Sequence, residues 1–155
     1  MSPRYFEDME IGARAELGTY TFTEDAIMDF ARKYDPQPFH IDREAAAKSV
    51  FGGLIASGWQ TVAVFMKLAV AARDRGPFEQ TSAAVGISPG FEDLQWLKPV
   101  RPGMTLRYST EVIDKVELKS RPEWGLVKTR VEARDEGGIL MMRFTGKGFV
   151  QRRPK

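Results

Sequence analysis

The sequence predicts an α+β protein, an antiparallel sheet of about five strands wrapped around one long apolar helix. Three observations carry this expectation. The first half of the 155-residue chain has helical periodicity and the second half reads as strands. From Trp59 to Ala72 the sequence is apolar almost all round, apart from Gln60, Thr61 and Lys67, as in a helix buried on most sides. The strands that follow alternate apolar with charged residues, so one sheet face is available to cover that helix. Hydrophobic residues make up 43% and charged residues 28%, ordinary globular usage that argues against a disordered or fibrous chain. Length and the absence of linkers or repeats point to a single domain over residues 1–155.

The elements follow in order. Thr19–Thr23 is a short β-prone run. Thr23 then caps a helix whose first turn holds Glu24 and Asp25, near the positive end of the dipole. Ile27, Phe30, Ala31 and Tyr34 form its apolar face. Pro36 stops the helix and biases Asp35 toward extended backbone, at the start of a two-proline loop that ends at His40. Asp42 caps a second short helix through Lys48. A glycine-bearing loop, 49–58, leads to the long helix, which is expected from Ser57 or Gly58 to about Arg75, with Gly76-Pro77 ending it. Strand candidates are Ala83–Ile87 with Phe91–Trp96, then Leu106–Leu118, Leu126–Arg134 and Ile139–Val150. Val127, Thr129, Val131 and Ala133 alternate with Lys128, Arg130, Glu132 and Arg134. Asp135-Glu136-Gly137-Gly138 is a hairpin signal. Trp59, Phe65 and Met66 read as core, and Gln151–Lys155 as a frayed basic end.

Composition narrows the chemistry. The chain has no cysteine, which excludes disulfides, a cysteine nucleophile, thiolate zinc sites and cysteine-held iron–sulfur clusters. A single histidine excludes two-histidine metal sites; an all-oxygen magnesium or calcium site stays open. The net charge of +2 does not suggest a nucleic-acid coat. It is uneven: residues 1–80 carry nine basic and twelve acidic groups (−3), residues 81–155 fourteen and nine (+5). Solvated strand faces explain this most simply, and attraction of a phosphorylated ligand is the sharper alternative. The N-terminal segment has acids and no apolar core, unlike a signal peptide. The longest apolar stretch, Val62–Ala72, is too short for a bilayer, which needs about 20 residues. A soluble cytoplasmic protein without membrane partners is the expectation.

Two features suggest chemistry. Asp35 and His40, five apart across a proline-shaped loop, can face one site and hold a water between carboxylate and imidazole. Histidine suits proton transfer both ways because its ordinary pKa is about 6.5. On spacing alone, a helix cap and a solvated histidine explain the pair equally well. Ser57-Gly58 opens the buried helix, where free backbone N–H groups can stabilise an oxyanion; a plain N-cap is the simpler reading. Gly52-Gly53 lacks the context of a phosphate loop, and Ser57 that of a triad nucleophile.

Together these residues resemble the MaoC-like dehydratases, the (R)-specific enoyl-CoA hydratase type of hotdog fold. The stretch Phe30-Ala31-Arg32-Lys33-Tyr34-Asp35-Pro36-Gln37-Pro38-Phe39-His40 is similar to the family's hydratase motif, aromatic-x-x-x-Gly-Asp-x-Asn-Pro-hydrophobic-His. It is followed by the alanine-rich 41–46. Leu54–Gly58 resembles the loop that ends in Ile-x-His-Gly, and Leu97–Leu106 resembles K-P-V-x-P-G-D-T-L. The resemblance implies a hotdog homodimer or a higher oligomer that acts on a trans-2-enoyl thioester of coenzyme A or an acyl carrier. Asp35 and His40 would add water syn across the double bond, giving a (3R)-hydroxyacyl thioester. Gly58, with Ser57 and Gln37, would position and polarise the substrate; Tyr34, Phe39 and Phe51 would line its pocket. No metal or redox cofactor is implied. Tyr34 stands for the family's Gly, Gln37 for Asn, Ser57 for His and Met104 for Asp, and a bulky Tyr34 would favour short or unusual acyl groups. A hotdog thioesterase is the first alternative, weakened because Trp59–Arg73 holds no acid. A non-catalytic thioester-binding subunit and a plain interaction domain are the others.

Overall fold

The computed structural model describes residues 4–72 and 87–154. Among these residues, five strands form one antiparallel sheet in the order β1-β3-β4-β5-β2. They are β1 (Arg14–Thr21), β2 (Gly90–Trp96), β3 (Thr105–Glu117), β4 (Trp124–Arg134) and β5 (Leu140–Gln151). Helices α1 (Glu24–Tyr34), α2 (Pro38–Ile41), α3 (Arg43–Lys48) and α4 (Gly58–Ala71) all fall between β1 and β2. The α+β hotdog arrangement expected from the sequence is present.

Strand alternation builds the core. Val112 and Val127 pack in a second cluster with Phe6, Met9 and Val150, while Leu106 and Tyr108 of β3 face inward with Val131 and Ala133 of β4 and Met142 and Phe144 of β5, all buried. Register sets Tyr108 beside Ala133, and Val131 beside Phe144. Helix α1 adds Ile27 and α4 adds Val64 to the same core. The Tyr108 hydroxyl donates to the Thr61 carbonyl at 2.9 Å, which ties α4 to the middle of the sheet. Burial pushes that phenol far above its usual range, so it stays a donor.

Several expectations are corrected. The first strand begins at Arg14 and ends at Thr21, not Thr23. Gly18, at φ 122°, sits at a bulge and breaks the alternation that would have marked it. Thr23 leaves the strand because it caps α1, accepting the Ala26 N–H at 3.1 Å. The 35–40 segment is not all loop: Pro38 at the first turn presets a one-turn helix that carries His40. The end of the long helix beyond Ala72 and residues 83–86 of the first strand candidate lie outside the described residues, and Ile87 is not in a strand.

Helix α4 is less enclosed than its composition suggests. Gln60, Thr61 and Val64 are buried, but Trp59, Met66 and Val70 are each half exposed. One sheet covers one side of a helix, and nothing among the described residues covers the other. Trp59 and Met66 are therefore not core. The tail is not frayed either, since Arg152 pairs with Glu7 at 2.9 Å and Arg153 bonds Glu7 and Asp8.

Replacing Tyr108 with Phe should lower unfolding stability by about 1 kcal/mol, the usual net value of one buried hydrogen bond. Urea titration would read this as a lower midpoint at unchanged slope; an unchanged midpoint would mean the bond contributes nothing to holding α4.

Candidate active site

The site forms where the end of α1, the turn of α2 and the start of α4 meet. Helix α1 must stop before Pro36, and Asp35 caps it, its N–H still bonded to the Ala31 carbonyl at 2.8 Å. Its φ of −154° turns the side chain out of the helix. The Asp35 carbonyl accepts the Gln37 N–H at 2.8 Å, and the His40 N–H reaches the Gln37 carbonyl at 2.9 Å. This folds the five-residue spacing back on itself and brings the two side chains together.

His40 is 4% exposed. Its Nδ1 lies 2.6 Å from the Ile55 carbonyl, which can only accept, so Nδ1 carries a proton. Its Nε2 faces Asp35 Oδ2 at 3.1 Å. Ser57 Oγ donates to the same Oδ2 at 2.7 Å, and Gln37 Nε2 donates to Oδ1 at 2.8 Å. Burial pushes the Asp35 carboxyl up, but the bonds from Gln37 and Ser57, with the His40 ring, outweigh it and hold the group below the usual carboxylate range. Asp35 is therefore an anion at neutral pH, with both oxygens aimed by donors.

Ser57 also caps α4. Its Oγ accepts the Trp59 N–H at 3.3 Å, and its carbonyl accepts the Gln60 N–H at 3.0 Å. No acceptor among the described residues takes the Gly58 N–H. One serine thus links the carboxylate to the free amide end of the helix.

The structure brings together Asp35, His40, Gln37 and Ser57, with Gly58 next in the chain. Gln37 contacts Asp35. Phe39 packs edge-on against the His40 ring, centroids 4.6 Å apart, and Phe51 lies behind Phe39 at 5.1 Å. Tyr34 is 71% exposed and leans on Phe30. A cavity of about 560 Å³ lies elsewhere, between α4 and the concave sheet face, lined among others by Trp59, Val62, Met66, Phe91 and Phe144. Its size suits a small-molecule ligand. None of Tyr34, Phe39 or Phe51 lines it. Sequence reasoning missed Trp59 and Trp96 beside Gly58: their contact depends on where the end of β2 lands, and no local pattern signals it. Among the described residues no group of three acidic or histidine side chains could hold a metal ion, and no helix is long and apolar enough to cross a membrane.

The chain is similar to several known proteins. Residues 8–134 match the family described as MaoC like domain. A MaoC-like dehydratase from Rhodospirillum rubrum is 38% identical and superposes with a TM-score of 0.85, over 98% of this chain and 99% of that one. An uncharacterized Bacillus subtilis protein is 35% identical over 111 residues, 70% of this chain and 73% of the relative. An (R)-hydratase from Pseudomonas aeruginosa shares the fold at 24% identity and TM-score 0.65, over 96% of this chain and 86% of its own.

The lowered Asp35 makes a pH prediction. A carboxyl whose folded value lies below its unfolded value, about 3.9, binds fewer protons when folded, so it adds stability above that pH. That contribution disappears as pH falls through the folded value. The stability of the wild type relative to Asp35→Asn should therefore be constant near neutrality and decline below about pH 4. Urea midpoints of both proteins between pH 6 and pH 2 would check it, and a pH-independent difference would mean the carboxyl is not held low.

Proposed function

Because the chain belongs to the MaoC-like domain family, we propose that it is a hydro-lyase, adding water reversibly and with syn geometry to a trans-2-enoyl thioester. The observation that carries this reading is the convergence on Asp35: an anionic carboxylate aimed by Ser57 and Gln37, with His40 Nε2 against it and a free N–H at Gly58 nearby.

The chemistry follows from those groups. A water bound to Asp35 and His40 loses a proton to the pair as its oxygen attacks C3. The π electrons move toward the thioester, and the charge that gathers on its oxygen is met by the Gly58 amide, helped by the positive end of α4. The pair then returns a proton to C2 and is regenerated, leaving a (3R)-hydroxyacyl thioester. Every atom and electron is accounted for by water and substrate, so the reaction needs no metal or redox cofactor. Ser57 and Gln37 act by holding Asp35, which favours a rigid base over a wandering one.

The acyl chain is expected to run past Trp59 into the cavity along α4, whose lining is mostly apolar. The carrier is coenzyme A or an acyl carrier. The proposed enzyme is cytoplasmic and homodimeric. The half-exposed face of α4 and the edge position of β2, with exposed Phe91 and Trp96, supply an apolar surface for a second copy. A thioesterase mechanism with an acid on the central helix finds no support, because Gly58–Ala71 contains none.

Hydration of crotonyl-CoA, followed as loss of the enoyl thioester absorbance, tests the reading. Asp35→Asn and His40→Ala should each lower the rate by about 100-fold or more while retaining the fold. Release of free thiol without hydration would replace the hydratase with a thioesterase.

A further inference from the structure

Trp96, the last residue of β2, lies directly against the start of α4. A Cβ built on Gly58 would fall inside its indole, in contact with Cε2, Cδ2 and Nε1. No space for a single carbon remains on that side of Gly58. Trp59 meets the Trp96 ring edge-on, with centroids 5.1 Å apart and planes at 80°. Both rings are about half exposed, and Trp59 also lines the 560 Å³ cavity. The pair therefore runs from the Cα side of Gly58 to the cavity lining. It is also coupled to the dyad, since Trp59 N–H and Asp35 Oδ2 share Ser57 Oγ.

We infer that the Trp59–Trp96 pair is the specificity filter of this site, admitting straight-chain 2-enoyl thioesters and rejecting those with a methyl group on C2. This rests on the hydratase reading. A thioester carbonyl held by the Gly58 N–H fixes C2 one bond away. A conjugated enoyl unit is flat, and a straight one slides along the indole with its tail turning past Trp59 into the cavity. A substituent on C2 widens the unit next to the carbonyl, where Trp96 already fills the wall. Tyr34, exposed and remote from the cavity lining, has no such contact to make. One carbon misfitting in a packed apolar site changes kcat/KM by about 10- to 200-fold.

The test compares crotonyl-CoA with its 2-methyl homologue, as kcat/KM, in the wild type, Trp96→Ala and Trp96→Phe. The wild type should favour crotonyl-CoA by at least about tenfold, and Trp96→Ala should shrink that ratio by a similar factor through a gain on the branched substrate. Trp96→Phe should fall between them and guards against a misfolded alanine variant, with melting curves run on all three. A lost fold would depress both substrates together and leave the ratio alone. Equal use of both substrates by the wild type, or the same ratio in all three proteins with their melting curves intact, overturns the inference. If the wild type hydrates neither, the hydratase reading fails by itself. Calorimetric Kd values for butanoyl-CoA and 2-methylpropanoyl-CoA then decide the filter, which stands only if a straight-chain preference collapses in Trp96→Ala.

Discussion

The site depends on one carboxylate. Asp35 ends α1, yet its two oxygens are claimed by α2 through His40, by the residue before α2 through Gln37, and by the cap of α4 through Ser57. A charge this close to the protein interior is costly unless donors surround it. Here the donors come from separate elements, so the requirement to satisfy one anion fixes the relative positions of all of them. His40 is fixed from its other side by the Ile55 carbonyl, and the Ile55 N–H reaches back to the Phe39 carbonyl at 3.3 Å. The loop before α4 is thereby stitched to the α2 turn on both strands of contact.

The sheet makes that arrangement rigid. Helix α4 has no acid or strong base among its buried residues and is held by packing and by the Tyr108–Thr61 bond. Its N-terminus is consequently a fixed point, with Ser57 as the joint between the scaffold and the reactive groups. Sites built on such ends keep their geometry because the supporting residues are locked by packing and by hydrogen bonds.

Much of this was legible in the sequence, and the reasons differ by element. Val127–Arg134 announced itself because a two-sided strand alternates strictly, and β1 hid because Gly18 interrupts its period. Pro36 and Pro38 fixed the geometry around Asp35 through covalent constraint on φ, which is local and therefore readable. The bond of Gln37 to Asp35 was not legible, because residue type does not reveal that the amide folds back over two residues. The exposure of Trp59 and Met66 could not be read from α4 at all: an apolar composition says what a helix prefers to touch, while the sheet decides how much it does touch. Trp96 was hidden for the same reason, since its neighbour Gly58 is distant in sequence and only strand order brings them together.

Strand order also sets the sequence of assembly during synthesis. Among the described residues, β5 is the one hydrogen-bonded neighbour of β2 and one of two neighbours of β4. As the chain is made, α4 and β2 emerge well before β5 exists to complete the sheet. An apolar helix and an unpaired edge must wait, exposed, until β5 arrives. Long-range pairing of this kind slows folding and leaves nascent chains open to aggregation. Protection from aggregation during synthesis therefore rests less on the finished surface than on how soon β5 follows β2.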